Sequence, residues 1–178
     1  MSEKCQILKN NTTSTHMTVH FRGAIEEWDD YDHLFKDLKN LTESDIVTLV
    51  LNTSGGDCSI GFSIIDRLLN LPCKLDVIVE YPTYSMGAIM ALCGDSLKIE
   101  PDSYIMFHDY SGGMKGKGGE TFLYTDNYRK VFKARFKKLC TPFLTDDEVE
   151  RMFKGEDIYI SDTDPTLKAR IKRHFKTI

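Results

Sequence analysis

Short apolar segments alternate with amphipathic ones through the first 110 residues of the chain. Strands are predicted over residues 17–21 and 46–51, and the second is almost continuously apolar and β-branched, which is typical of a strand covered on both faces. Between them, residues 29–41 carry apolar side chains at the spacing of one helix face. This alternation predicts an α/β fold built in layers.

The same alternation continues to residue 107. A helix is predicted over residues 59–71, and Pro72 ends it. The remaining elements of this region are strands at 75–79, 97–100 and 104–107 and an apolar helical run from 85 to 93. The α/β pattern therefore extends over well over half of the chain.

After residue 110 the pattern changes. Residues 111–120 hold five glycines in ten positions, which predicts a mobile loop. One long helix is predicted over residues 121–140, and its aromatic stripe is expected to be buried either against a partner copy or on its own domain. The stripe consists of Phe122, Tyr128, Phe132 and Phe136. A further helix is predicted to begin at Thr145, with Glu148 reaching back to the cap, and a polar, basic tail follows.

Composition narrows the class of protein. A length of 178 residues, with 41% apolar and 28% charged side chains, fits one domain over residues 1–178. A net charge of −4 argues against nucleic acid as a partner, and the basic residues of the long helix are expected to form a solvated face. No apolar run approaches the roughly 18 residues of a membrane helix, and the polar N-terminus is unlike a signal peptide. We therefore expect a cytoplasmic protein without a membrane partner.

The five cysteines are odd in number, widely spaced and without a CxxC pair. This spacing predicts reduced thiols and no metal site. Cys93 lies in the apolar stretch 88–93 and is expected to be buried, and a catalytic thiol is the less favoured reading of these residues.

Four features suggest chemistry, although each alone also fits an ordinary structural role. The glycine-rich turn at residues 52–57 follows a buried strand, and glycine lets backbone N–H groups point into a site. Ser85 precedes a helix of small residues, where a serine is either a nucleophile or a helix cap. His108 ends a strand and is a candidate general base, and Asp157 precedes a strand-like run and is a candidate partner for a histidine.

Taken together, the order and context of these features resemble the ClpP family, the proteolytic subunits of the Clp protease. The matching pieces are Asn52-Thr53-Ser54-Gly55-Gly56, Ser85-Met86-Gly87-Ala88, Met106-Phe107-His108 and Asp157-Ile158-Tyr159-Ile160-Ser161. The resemblance implies an α/β fold of stacked ββα units, shared with the crotonases, and a protruding helical handle. The head would comprise about 17–110 and 155–178, and the handle about 111–154.

The resemblance also implies a mechanism and an assembly. Ser85 would be the nucleophile of a serine endopeptidase, His108 its base and Asp157 the carboxylate that orients the histidine, with the backbone N–H groups of Gly56 and Met86 as the oxyanion hole. No cofactor is implied in this subunit, and ATP would act only through a partner unfoldase. The implied partners are copies of the chain in stacked heptameric rings, an AAA+ ATPase of the ClpX, ClpA or ClpC type, and unfolded polypeptides.

Departures from the family pattern keep two alternatives open. Ser54 stands where the family usually has proline, Asp109-Tyr110 replaces Gln-Pro after the histidine, and the tail after Ser161 lacks the usual Glu-Ala-x-x-Tyr-Gly segment. The loss of the first proline is expected to loosen the glycine turn, and the loss of the second to free the chain just beyond the histidine. These changes suggest an inactive or weakly active ring subunit or adaptor as the first alternative. The second is a crotonase-type acyl-CoA enzyme, which would hold a thioester enolate between two backbone donors.

Overall fold

The computed structural model describes residues 4–11, 14–112 and 115–175. Its strands are β1 (Cys5–Asn11), β2 (Thr15–Ile25), β3 (Ile46–Gly56), β4 (Lys74–Val79), β5 (Thr83–Tyr84), β6 (Ser96–Ile99), β7 (Tyr104–Phe107) and β8 (Ile158–Ser161). Its helices are α1 (Asp32–Leu38), α2 (Cys58–Leu69), α3 (Met86–Met90), α4 (Gly118–Cys140), α5 (Asp146–Met152) and α6 (Leu167–His174). The expected α/β fold is confirmed.

A five-stranded sheet forms the centre of the fold, in the order β1-β2-β3-β4-β6. β1 is antiparallel to β2, and the other neighbours are parallel. In β3, the consecutive residues Leu49, Val50 and Leu51 are all buried, because a parallel strand in the middle of a layered sheet is covered on both faces. This strand runs directly into the glycine pair that precedes α2.

A second, three-stranded sheet has the order β5-β7-β8. β5 pairs parallel with β7, with Tyr84 opposite Met106, and β7 pairs antiparallel with β8, with Phe107 opposite Ile158. Parallel pairing brings the carboxyl ends of β5 and β7 together. The residues that follow these two ends are Ser85 and His108.

The long helix α4 has two halves with different surroundings. In its inner half, residues 132–140, Phe132 and Phe136 are buried against the domain to which they belong. In its outer half, residues 118–131, Phe122 is 70% exposed and Leu123 is 61% exposed. The aromatic stripe is therefore divided, since its second part packs on its own domain and its first residue lies at the surface.

The glycine-rich segment before α4 is shorter than predicted. Residues 113 and 114 fall outside the described part of the chain, but residues 118–120 already belong to the helix. The predicted start at residue 121 was therefore wrong by three positions. Glycine is a poor helix former, so its presence masked the first turn of α4.

Three elements were not predicted. β1 and the two-residue β5 lie in segments with little apolar character, and α6 lies in the polar tail. Because β1 joins the main sheet, that sheet begins before residue 17, where the head was expected to start. The division into head and handle stays a prediction. In the tail, Arg170 is 7% exposed and its guanidinium binds the Glu148 carboxylate and the Phe143 carbonyl, which anchors α6.

The cysteines differ in how deeply they are buried. Cys93 is buried, as expected, and so is Cys140, while Cys58 and Cys73 are partly exposed. None of these four forms a disulfide. Within the described ranges, no helix has both the length and the apolar character needed to cross a bilayer.

Candidate active site

Ser85 occupies a sharp turn between β5 and α3. Its backbone has φ 56° and ψ −122°. Residues other than glycine rarely adopt a positive φ, and this conformation costs about 1–3 kcal/mol. The turn is held by the Ser85 N–H, which donates to the Met106 carbonyl at 2.9 Å, and by the Ser85 carbonyl, which accepts from the Ile89 N–H at 3.2 Å. A strained strand-to-helix turn of this kind presents a nucleophile at its tip.

The Ser85 hydroxyl is not used to cap the helix. The residue stands at the N-cap position of α3, yet its side chain makes no capping hydrogen bond. The capping role considered from the sequence therefore does not explain the residue. Its hydroxyl is available for other chemistry.

The glycine turn packs directly against this serine. A Cβ on Gly55 would lie 2.7 Å from the Ser85 Cβ and 2.9 Å from the Met86 nitrogen, and a Cβ on Gly56 would lie 2.1 Å from the Ile25 carbonyl oxygen. Both glycines have positive φ, at 78° and 149°. Only glycine fits at either position, and the close approach brings the backbone of Gly55, the neighbour of Gly56, next to the N–H of Met86.

The turn is also held in the absence of a proline at position 54. The Thr53 hydroxyl donates to the Gly23 carbonyl at 2.5 Å and accepts from the Gly55 N–H at 3.0 Å. Asp57 caps α2 by accepting from the N–H groups of its first residues at 2.8 and 2.9 Å. The loosening expected from Ser54 is therefore offset by hydrogen bonds on both sides of the glycine pair.

Ser85, Met86, Gly56 and His108 line one small cavity with a volume of about 40 Å³. A wider cleft of about 660 Å³ adjoins it and shares Gly56 with its wall. The structure thus brings together the predicted nucleophile, the predicted base and both predicted backbone donors. The backbone N–H of Met86 belongs to the first turn of α3, where N–H groups have no partner within the helix and can face a ligand.

Asp157 lies outside this lining. It is exposed and comes directly before β8, whose Ile158 is opposite Phe107. His108 and Asp157 are the next residues in that register, so the sheet brings their backbones to adjacent places. Within the part of the chain that the structure describes, no hydrogen bond joins the side chains of Ser85, His108 and Asp157.

Arg129 restrains the chain just after His108, a role that no sequence pattern indicated. Its guanidinium donates to the Asp109 carboxylate at 2.8 Å and to the Phe153 carbonyl at 2.7 Å. The first contact holds the residue after His108, and the second holds the segment that leads from α5 to Asp157. The ion pair between Arg129 and Asp109 therefore limits the backbone freedom expected from the loss of Gln-Pro. The two residues are 20 positions apart, so no local sequence pattern could predict their contact.

The other basic residues of α4 confirm the expectation of a solvated face. Four of them pair with carboxylates of their own or a neighbouring segment at 2.5–2.8 Å. These residues are Lys130, Lys133, Arg135 and Lys137.

Cys58 also lines the cavity, a position that the sequence did not single out. Burial raises the pKa of its thiol, although the neighbouring Tyr128 hydroxyl acts in the opposite direction. A raised pKa keeps the thiol protonated near neutral pH, and a protonated thiol is a poor nucleophile. The environment therefore favours Ser85 over Cys58 as the reactive side chain of this cavity.

Among the described residues, no group of three or more His, Cys, Asp or Glu side chains is arranged to hold a metal ion. The expectation that the subunit needs no cofactor stays a prediction. The chemistry available in the cavity is that of a hydroxyl, an imidazole and two backbone donors, which is the set used in acyl transfer.

Comparison with known proteins gives this arrangement a family. The family model described as Clp protease matches residues 8–143, and this range includes Gly56, Ser85 and His108 but ends before Asp157. This match covers more than half of the chain and assigns the chain to a class of proteases. The chain belongs to the Clp protease family.

Individual relatives are distant. The chain is similar to ATP-dependent Clp protease proteolytic subunit 1 of Shouchella clausii, at 30% identity over 91 residues, covering 50% of this chain and 46% of that protein. It is also similar to proteolytic subunit 2 of Mycolicibacterium paratuberculosis and subunit 1 of Mycobacterium tuberculosis H37Rv, each at 26% identity over 113 residues, covering 62% of this chain and 56% of the relative. The chain thus spans about half the length of the curated relatives it matches.

Proposed function

We propose that this chain is a serine endopeptidase in which Ser85 attacks the carbonyl of a peptide bond. His108 removes the hydroxyl proton as the bond to the carbonyl carbon forms, and then gives that proton to the leaving amine. Asp157 holds the imidazole in the required tautomer and balances its charge. Water then hydrolyses the acyl-enzyme with His108 again as the base. The observation that carries the proposal is the strained Ser85 turn beside His108 in one cavity.

The tetrahedral intermediate needs donors for its oxyanion. The proposed donors are the backbone N–H groups of Gly56 and Met86, since the glycine turn and the start of α3 approach each other here. A donor of this kind is typically worth a factor of about 10²–10³ in kcat. The close packing of Gly55 against Ser85 keeps both donors in place before substrate arrives.

The proposed substrates are unfolded polypeptides, reached inside a chamber of stacked heptameric rings and supplied by an AAA+ Clp ATPase. The exposed outer half of α4 supports assembly, because large apolar side chains at the surface mark protein contacts. These side chains are Phe122, Leu123, Tyr124 and Val131. Sedimentation of the purified chain tests assembly, and a monomer at micromolar concentration would contradict the ring.

The activity is tested by hydrolysis of fluorogenic peptides and by labelling with a small fluorophosphonate. Ser85→Ala is expected to abolish labelling and to lower turnover by about 10³-fold or more. Ser111→Ala is the matched control, since Ser111 lines the same cavity and is expected to keep both signals. Labelling that persists at another residue in Ser85→Ala would overturn the assignment.

An inactive or weakly active ring subunit or adaptor is the second candidate. It is favoured by the position of Asp157, which is exposed and makes no hydrogen bond with His108 within the described chain. This candidate predicts a ring that assembles but is neither labelled nor active, with or without a Clp ATPase. An acyl-CoA enzyme would have no use for a strained serine beside a histidine, so the site favours a peptidase over that class.

A further inference from the structure

The cavity at Ser85 is small, whereas the cleft beside it is large. The cavity has a volume of about 40 Å³, whereas the cleft, which is lined by Gly55, Asp57 and Tyr124, has a volume of about 660 Å³. A cavity needs at least about 10–15 Å³ to hold a single water, whose share of the liquid volume is about 30 Å³. A cavity of about 40 Å³ is therefore of the size of an alanine or serine side chain and too small for that of leucine or phenylalanine.

The position of the cavity decides which substrate side chain enters it. In the proposed mechanism the scissile carbonyl carbon lies at the Ser85 hydroxyl, and its oxygen lies between the N–H groups of Gly56 and Met86. The Cα bonded to this carbonyl carbon belongs to the residue on the acyl side of the scissile bond. The side chain on this Cα then meets the space bounded by the same three residues. The rest of the peptide lies in the wider cleft, which shares Gly56 with the cavity.

The far wall of the cavity is formed by tightly packed aromatic rings. Phe132 is 4% exposed and its ring lies 5.1–6.2 Å from five others, which belong to Phe62, Tyr110, Tyr128, Phe136 and Phe153. Close-packed interiors do not yield to added volume without strain. The cavity is therefore not expected to widen for a larger side chain by rotation of Phe132.

Tyr110 lines both the cavity and the cleft. Its ring lies 5.0 Å from that of Tyr128 and 5.1 Å from that of Phe132. The residue follows the base by two positions and is half-buried, so it can be shortened with less disturbance to the core than Phe132. Tyr110 and Phe132, which lie on different segments of the chain, thus together limit the size of the cavity.

We propose that this cavity restricts the residue on the acyl side of the scissile bond to small side chains, and that Phe132 and Tyr110 are the residues that determine this specificity. The inference rests on the proposed function and names its substrate class. The apolar wall favours alanine over glycine by about fourfold in kcat/KM, the effect of burying one methyl group. Leucine and phenylalanine are disfavoured by about tenfold or more, because they overfill the space.

A series of fluorogenic peptides tests this specificity in the unaltered full chain. The peptides differ only in the residue before the leaving group, which is glycine, alanine, valine, leucine or phenylalanine. The expected order of kcat/KM has alanine first and leucine and phenylalanine last. Leucine cleaved as well as alanine would overturn the inference, and so would a labelled protein that does not cleave the alanine peptide.

Two variants test which residues limit the size of the substrate side chain. Phe132→Ala and Tyr110→Ala are each expected to raise the ratio of leucine to alanine turnover by about tenfold, with thermal melting as the check on folding. If Phe132→Ala does not fold, Tyr110→Ala alone decides. Tyr124→Ala is the control, since that ring lines the cleft and not the cavity and is expected to leave the ratio unchanged. An unchanged ratio in folded Tyr110→Ala contradicts the assignment.

The fluorophosphonate separates this inference from the function on which it rests. That probe carries no side chain for the cavity, so it reports only whether Ser85 is reactive. No labelling of the wild-type protein would defeat the proposed function and the inference together. Labelling of Ser85 without a preference for small residues would defeat the inference alone.

Discussion

The two halves of the candidate site are built in different ways. The nucleophile half consists of Gly55, Gly56, Ser85 and Met86, and it is held by backbone atoms in direct contact. The base half consists of His108, Asp109 and Asp157, and its restraint is the side chain of Arg129 on a separate helix. The nucleophile half is fixed by backbone packing that leaves no room for a side chain at the two glycines. The base half is fixed by the ion pair of Arg129 and Asp109 near the surface.

This difference separates stability from activity. At the two glycines of the nucleophile half, an added Cβ would collide with main-chain atoms, so a substitution of either glycine is expected to damage folding and catalysis together. In the base half, the Arg129 and Asp109 side chains are 44% and 20% exposed. Exposed ion pairs contribute about 0–1 kcal/mol to stability, so a substitution there is expected to change catalysis while the fold persists.

The largest effect is expected from Gly56→Ala in the nucleophile half. The new Cβ would lie 2.1 Å from the Ile25 carbonyl oxygen, at a φ of 149° that side chains avoid. We expect a loss of about 4 kcal/mol or more in the free energy of unfolding, measured by urea denaturation. Gly119→Ala is the control: that helical position has open space, and the change is expected to stabilise by about 0.5–1 kcal/mol. Equal stability of the two variants would refute the packing argument.

The next effect concerns the scaffold that leads to Asp157. Glu148 on α5 accepts two hydrogen bonds from Arg170 on α6, at 2.6 and 2.9 Å, and the pair is almost fully buried. Glu148→Gln leaves the Arg170 charge without its partner and is expected to cost about 3 kcal/mol. Glu150→Gln, on the same helix, breaks an exposed pair with Lys133 and is expected to cost less than about 1 kcal/mol.

Acid provides a second measurement on the same pair. The Arg170 hydrogen bond lowers the pKa of Glu148 to about 2 from an ordinary value of 4.5. Because the folded-state pKa is the lower one, the stabilisation is complete above about pH 4.5 and is lost as the pH falls towards 2. The difference between wild type and Glu148→Gln is expected to shrink over that range. A constant difference would show that Glu148 titrates normally.

A smaller effect is expected in the base half itself. Arg129→Lys cannot reach both the Asp109 carboxylate and the Phe153 carbonyl, because an ammonium lacks the fork of a guanidinium. We expect kcat to fall about tenfold with KM little changed, and the free energy of unfolding to fall by less than about 1 kcal/mol. Lys130→Ala, which breaks the neighbouring pair with Asp126, is the control and is expected to keep wild-type kcat.

The sequence predicted what depends on local pattern. The strand at 104–107 has the predicted bounds, and the capping of α5 by Thr145 with Glu148 is confirmed, because strand alternation and capping boxes are encoded within a few residues. β1 was missed because its residues are largely polar, and it is defined by antiparallel pairing with β2. α6 was missed because its anchoring group is the buried guanidinium of Arg170, which resembles a surface residue in the sequence.

The sequence placed the candidate serine and histidine at strand ends, but it did not predict the contacts that hold them there. Serine and histidine at the ends of β5 and β7 follow from the motif, and the comparisons place both within the family match. The positive φ of Ser85 and the contact of Arg129 with Asp109 depend on the folded chain, since neither has a signature at short spacing. The assignment of Asp157 stays a prediction, because the sheet register brings it near His108 without a hydrogen bond.

The smallest effect concerns the far end of the nucleophile helix. The His174 ring on α6 contacts the Leu92 carbonyl through Nε2 at 2.9 Å, while its Nδ1 is buried without a partner. A carbonyl only accepts, so Nε2 carries the proton. Burial lowers the pKa of His174 below its ordinary 6.5, and the stability it provides is therefore present above about pH 6.5 and declines as the pH falls below that value.

His174→Gln tests this link between α6 and the nucleophile half. Glutamine can donate to the Leu92 carbonyl but does not titrate, so the free energy of unfolding of the variant is expected to vary less between pH 7.5 and 5.5 than that of wild type. Urea denaturation at both pH values measures the difference. Identical pH dependence would mean that protonation of His174 costs nothing in the folded state, and that the contact does not hold α6 against the end of α3.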